Sequence, residues 1–151
     1  MKVTLRDEAE TLAFAGRVYR AMSSNGLVFL LGNLGAGKTT FVRGWLRAAG
    51  FSGPVKSPTF TLVEEYPLGD RIVYHFDLYR LNDPEELEWM GFRDYLRPNA
   101  VCFIEWPERG AGLLPEADLE IRLEISGTGR MAEISAGTDS GVAVLARLQA
   151  E

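Results

Sequence analysis

The strongest chemical signal in the sequence is the segment Gly32-Asn33-Leu34-Gly35-Ala36-Gly37-Lys38-Thr39, which fits G-x-x-x-x-G-K-[ST] in full and carries an extra glycine at position 35. Glycines at these places let the backbone curl around an anion with its N–H groups pointing inward, where a Cβ would obstruct. Lys38 is then placed to reach the β- and γ-phosphates of a nucleotide. The Thr39 hydroxyl can take one position around an octahedral Mg²⁺, and Thr40 can donate one more hydrogen bond. Nucleotide contacts are therefore expected from Asn33 to Thr40. The bland alternative is a glycine-rich turn that merely joins a strand to a helix. At ordinary residue usage such a match arises by chance in roughly one chain of this length in 200. The apolar run before it and the helical periodicity after it make chance rarer still, so a phosphate site is the expectation.

Such a site needs a carboxylate at the end of a neighbouring buried strand, to hold Mg²⁺ and the attacking water near the γ-phosphate. Two acids fit. Val101-Cys102-Phe103-Ile104 ends in Glu105, and Ile72-Val73-Tyr74-His75-Phe76 ends in Asp77. Either could instead be a solvated acid at a strand end. Ser57-Pro58-Thr59 follows the phosphate-binding helix, where a switch segment would use a hydroxyl to sense the γ-phosphate; a plain turn has the same composition. His75, the single histidine, interrupts an apolar strand and reads as a structural residue rather than a catalyst. Trp106 fits either core or partner contact. Glu85, Glu86 and Glu88 read as a solvated helix face.

The elements that must position these groups follow from periodicity. Asp7 and Glu10 have capping-box spacing, and Leu12, Ala15, Val18, Tyr19 and Met22 then recur at helical intervals, so a helix is expected over 7–23. Leu27–Leu31 reads as a strand buried on both faces, and 38–49 as a helix with Phe41, Val42, Trp45 and Leu46 on one side. Strands are expected over 60–66, with a turn at 67–70, and then over 72–76 and 101–104. A capped helix is expected from Asp83 to about Met90. Alternation over 119–125 and 130–135 across Gly127-Thr128-Gly129 predicts a hairpin, and 142–148 a last helix. The expected architecture is a single α/β P-loop domain over residues 1–151, with a mixed, mostly parallel sheet flanked by helices and a C-terminal antiparallel hairpin.

With 151 residues and 46% hydrophobic content, one domain can bury a core unaided. The lone Cys102 and the acidic first residues, which resemble no signal peptide, point to a reducing compartment, the cytoplasm, and no run is long enough to cross a membrane. A net charge of −5 argues against a broad basic face for free nucleic acid, leaving at most a local patch such as Arg43 and Arg47.

Several segments together resemble one family, the TsaE (YjeE) ATPases of bacterial tRNA threonylcarbamoyladenosine biosynthesis. They are GNLGAGKTTFVRG, SPTFTLVEEY, HFDLYRL, EEL ahead of Gly91-Phe92, and IEWPERG, in the family's order over roughly residues 32–110. The resemblance implies a Mg²⁺-dependent ATPase. It would serve a two-subunit threonylcarbamoyl transferase of the TsaB and TsaD type, which modifies the adenosine beside the anticodon, so tRNA is met only through the complex. It further implies that Lys38 contacts phosphates, that Thr39 and Glu105 hold Mg²⁺, that Asp77 serves the hydrolytic centre, and that Thr59 belongs to the first switch. Trp106 looks like the family's essential tryptophan. Thr11 lies on what looks like the adenine-side helix, and Arg130 corresponds to an arginine near the adenine. The runner-up is a P-loop small-molecule or nucleoside kinase, weakened by the lack of a late arginine-rich lid. A GTPase lacks its N-K-x-D segment here, and a module that binds without hydrolysing would not need both Asp77 and Glu105.

Thr39→Ala is expected to weaken nucleotide binding in Mg²⁺ more than in chelator, since it removes a metal ligand and leaves the backbone cradle. Titrations with a fluorescent nucleotide in both conditions check this, and equal losses would remove Thr39 from the metal site.

Overall fold

A computed structural model describes residues 1–23 and 25–151. Among them the strands are β1 (Lys2–Leu5), β2 (Gly26–Leu31), β3 (Val63–Leu68), β4 (Arg71–Asp77), β5 (Ala100–Glu105), β6 (Leu119–Ser126) and β7 (Gly129–Ala136). The helices are α1 (Glu8–Ala21), α2 (Lys38–Ala48), α3 (Glu85–Trp89) and α4 (Asp139–Gln149), with short 3₁₀ turns at Phe92–Tyr95 and Pro107–Gly110. One mixed sheet runs in the order β1-β7-β6-β2-β5-β4-β3. The four central strands, β6, β2, β5 and β4, are parallel, and antiparallel pairs close both edges: β6 with β7 and β7 with β1 on one side, β4 with β3 on the other.

Helices cover both faces of β2 and β5, whose residues are almost wholly apolar, whereas β6 alternates and leaves Glu120, Arg122 and Glu124 exposed. Every residue of β5 is buried. Alternation divides them between two cores. Val28, Leu30, Val73, Val101 and Phe103 pack beneath α1 and α2 with Phe14, Phe41, Trp45 and Leu46. Leu27, Tyr74, Phe76, Cys102 and Ile104 face Leu87 of α3 and Phe92. His75, Asp77 and Glu105 fall on the same parity as Val73 and Phe103. The pleat therefore turns all three polar side chains toward the α2 side.

α1 starts as its sequence signal predicts, whereas α3 opens at Glu85 rather than Asp83 and α4 at Asp139, capped by Thr138, rather than at 142. Asp7 accepts from the Glu10 N–H at 2.9 Å, although Glu10 reaches back to the Arg6 N–H at 2.7 Å rather than to the cap itself. Asp83 accepts from the Glu85 N–H at 2.9 Å, opening α3. Arg43 and Arg47 do not form a free basic patch: Arg43 pairs with Glu8 at 2.8 Å, and Arg47 donates to the carbonyls of Phe51 and Gly53.

Two strands differ from expectation. β1, a four-residue strand, is too short to show a period, and it is held by tertiary pairing along β7. β3 begins at Val63 rather than Phe60, because the Leu62 N–H bonds to the Pro58 carbonyl at 2.9 Å and Leu62 takes φ 71°. The strand then runs on through Pro67, which was expected in the turn. An edge strand tolerates a residue with no N–H to donate.

The crossing of α1 over α2 depends on Gly44. A Cβ there would lie 2.8 Å from the Leu12 Cα and 2.9 Å from its carbonyl oxygen. Gly44→Val is expected to destabilise the protein by about 1–3 kcal/mol, read as a lower urea midpoint at unchanged slope.

Candidate functional site

A cleft of about 560 Å³ opens where the carboxyl ends of β2, β4 and β5 meet the start of α2, the usual ligand position in open α/β sheets. Its walls are the 33–40 loop, Ser57 and Thr59, Asp77 and Tyr79, Glu105 and Trp106, and Arg130. Of the residues expected from the sequence, Asn33, Leu34, Gly35, Gly37, Lys38, Thr39, Thr40, Thr59, Asp77, Glu105 and Arg130 are brought together there. Ala36 is buried behind the loop, and Thr11 lies within α1 with its hydroxyl 3.5 Å from the Asp7 carbonyl, so neither lines this wall.

The start of α2 suits an anion. Gly37 precedes it at φ 104°, a left-handed conformation that favours glycine, and offers no side chain to cap the helix. By contrast α1 and α4 are capped by Asp7 and Thr138. The first-turn N–H groups of α2 thus have no capping side chain, and they point with the positive end of the helix dipole into the cleft. Arg130 braces this loop from β7. Its guanidinium donates to the Ala36 and Gly35 carbonyls, each at 3.0 Å, and so engages those oxygens.

Opposite the loop, Asp77 and Glu105 are register partners on adjacent parallel strands. Lys38 and Glu105 are buried, at 6% and 5% exposure, with the Lys38 Nζ 3.3 Å from Glu105 Oε1. Lys38 also donates to the Gly32 carbonyl. The second oxygen, Glu105 Oε2, lies 2.6 Å from His75 Nε2. Burial pushes the Glu105 carboxyl upward, but the His75 hydrogen bond and the attraction of His75 and Lys38 outweigh it, leaving the pKa below the usual glutamate value. The group is a carboxylate at neutral pH.

Asp77 is held differently. Its Oδ1 accepts from the Tyr79 N–H at 2.9 Å and its Oδ2 from the Thr59 hydroxyl at 3.3 Å, which in turn lies 2.7 Å from the Ser57 hydroxyl. The turn that shortens β3 is what delivers Thr59 to Asp77. Trp106 has φ 55° and ψ 52°, a conformation that costs a bulky residue on the order of 1–3 kcal/mol. It turns the indole over the cleft, 5.0 Å from the Tyr79 ring and 5.4 Å from Lys38 Nζ. Trp106 is therefore a cleft wall that also packs, half-buried, against the second core.

Among the described residues no three His, Cys, Asp or Glu side chains form a metal cage. Mg²⁺ needs none, because one or two protein oxygens with phosphates and water complete its shell. The Thr39 hydroxyl and the two carboxylates are a donor set that fits it. Arg80 lies over Phe60 at 4.4 Å and Arg109 over Tyr79 at 5.5 Å, both outside the cleft wall and stacked on aromatic rings. Sequence reasoning missed Tyr79 as a wall and His75 as the partner of Glu105. The signal for His75 was its parity with Asp77, two residues on.

The model of the family "Threonylcarbamoyl adenosine biosynthesis protein TsaE" matches residues 5–132. The chain belongs to the TsaE family. The match reaches past the five quoted segments, from β1 into β7. The chain is 54% identical over 115 residues to the tRNA threonylcarbamoyladenosine biosynthesis protein TsaE of Haemophilus influenzae, covering 76% of this chain and 73% of that one. It is 37% identical to the protein of the same name from Bacillus subtilis over 118 residues, 78% of this chain and 73% of the relative. The crystal structure of Bacillus subtilis YdiB superposes with a TM-score of 0.82 at 27% identity, over 99% of this chain and 94% of that one. The P-loop fold expected for a TsaE chain is thus the fold observed. No helix among the described residues is long and apolar enough to cross a membrane.

Arg130→Ala is expected to lower nucleotide affinity roughly tenfold, about 1.4 kcal/mol, by releasing the loop carbonyls. The fold should persist, since β7 pairs through its backbone. Binding isotherms beside circular dichroism check both halves.

Proposed function

We propose that this TsaE-family chain is a single-domain, Mg²⁺-dependent ATPase of the cytoplasm. It supports threonylcarbamoyladenosine formation beside the tRNA anticodon by acting with a two-subunit threonylcarbamoyl transferase of the TsaB and TsaD type, and it meets tRNA only through that complex. The observation that carries the reading is the uncapped start of α2, with Lys38, set against two carboxylates in register at the ends of β4 and β5.

In this reading the loop N–H groups and Lys38 receive the phosphates, so Lys38 exchanges its contact with Glu105 for phosphate oxygens. Mg²⁺, when bound, would supply charge neutralisation to the phosphates. Thr39 and Glu105 are the residues to hold it. Asp77 orients the attacking water, and Thr59, already on Asp77, links that acid to the 57–61 loop as a switch would. Trp106 and Tyr79 screen the cleft from solvent and Arg130 keeps the cradle in shape, while Thr11, buried within α1, takes no part in the cleft wall.

Arg80 and Arg109 stack on rim aromatics rather than entering the cleft. An arginine finger accelerates such reactions by about 10³ to 10⁵, so the isolated chain is slow and the transferase subunits accelerate it. Steady-state ATPase assays with and without those subunits test this, and a fast lone chain that they leave unchanged would refute it. Glu105→Gln should retain ATP and lose at least about tenfold in turnover, roughly 1.4 kcal/mol of barrier. Asp77→Asn tests the second acid in the same assay. Transfer of phosphate to an added small-molecule acceptor would instead identify a kinase.

A further inference from the structure

His75 is the only histidine of the chain and sits in the middle of β4 with no exposed surface. Its register partner is Phe103, whose ring packs edge-on against Phe41 and Trp45. An aliphatic residue would suit that environment better, because a buried polar ring loses water on both nitrogens. The imidazole regains only one contact. Nε2 lies 2.6 Å from Glu105 Oε2, while Nδ1 has no hydrogen-bond partner.

That asymmetry assigns the donor. A carboxylate is acceptor-only, so the proton between Nε2 and Oε2 belongs to the imidazole. The other carboxylate oxygen, Oε1, is left facing Lys38 and the cleft. Glu105 otherwise has free torsions beyond its backbone, and Lys38 cannot hold it throughout, since that ammonium must turn to the phosphates. Among the described residues His75, on the neighbouring strand, is the other side chain that contacts the carboxylate.

We infer that His75 is a positioning residue: its Nε2–H grips one oxygen of Glu105 and so aims the other into the cleft, at the place where a divalent cation or its water is held. The inference rests on the reading of Glu105 as the Mg²⁺-site carboxylate. Carboxylates that ligate metals are commonly fixed by a hydrogen bond from behind, and loss of such a partner typically costs about 10–100-fold in metal affinity or activity.

The test uses the full chain with His75→Phe, which keeps a planar ring and removes the donor, and His75→Gln, which keeps an N–H at similar reach. His75→Phe should raise the Mg²⁺ concentration that half-saturates nucleotide binding about 10–100-fold, with metal-free nucleotide affinity unchanged. His75→Gln should recover most of the loss, and in a Glu105→Gln background His75→Phe should add little. A normal Mg²⁺ dependence in His75→Phe, beside an impaired Glu105→Gln, would overturn the inference alone. A silent Glu105→Gln would overturn the reading of the site beneath it. Should His75→Phe fail to fold, the wild-type chain still decides. Its single imidazole gives one assignable set of ¹⁵N signals, which should show a proton on Nε2, and a bare Nε2 would overturn the assignment.

Discussion

A buried lysine and a buried glutamate face each other across the junction of α2 and β5, and the rest of the structure is arranged around the need to keep them paired. Desolvating two opposite charges is costly, and it is tolerated only where each finds a partner and its remaining lone pairs or protons are satisfied. Glu105 meets that condition through Lys38 and His75, and Lys38 through Glu105 and the Gly32 carbonyl. This fixes α2 over the end of β5. In the proposed function a nucleotide entering the cleft would draw Lys38 away and a cation beside Glu105 would restore the balance, which would link phosphate and metal binding electrostatically.

The parallel arrangement of β6, β2, β5 and β4 makes such a site available. Parallel strands finish at one edge, where Asp77 and Glu105 end as neighbours and the loop after β2 opens. The antiparallel edges serve other ends. β7 carries Arg130 to the 33–40 loop at the cleft wall, and the delayed start of β3 leaves residues 58–62 free to turn and bring Thr59 to Asp77. The polar groups are distributed by function as well as by fold. Glu105 is buried and tied to rigid strands, whereas Asp77 is tied to a loop, so a change in that loop is felt at Asp77 first.

The cleft is completed by aromatic side chains held at some cost. Trp106 adopts a left-handed backbone and gains contacts with Tyr79 and Lys38. Leu34, on the cleft wall, and Phe60, next in the chain to Thr59, are largely exposed, at 90% and 81%. Large apolar groups left in water beside a reactive cleft are typical of surfaces that another molecule covers. The proposed action beside transferase subunits would supply such a cover.

The sequence by itself determined the phosphate loop, because the conformations and close approach that such a loop needs restrict residues 32–39 to a narrow set of types. It also determined most helices and the central strands, whose periods of 3.6 and 2 report burial directly. Glu105 and Asp77 were legible as the polar ends of apolar runs, but which contacts each would make was not. That depended on strand register, which no local pattern encodes. The four-residue β1, the turn at 58–62, the bracing by Arg130 and the left-handed Trp106 were decided only by the tertiary structure, since each is held by residues distant in the chain. His75 shows the division most clearly. Its residue type reads locally as a structural histidine inside a strand. Only the alignment of β4 beside β5, which sets residues 30 positions apart within hydrogen-bond reach, makes it the partner of Glu105.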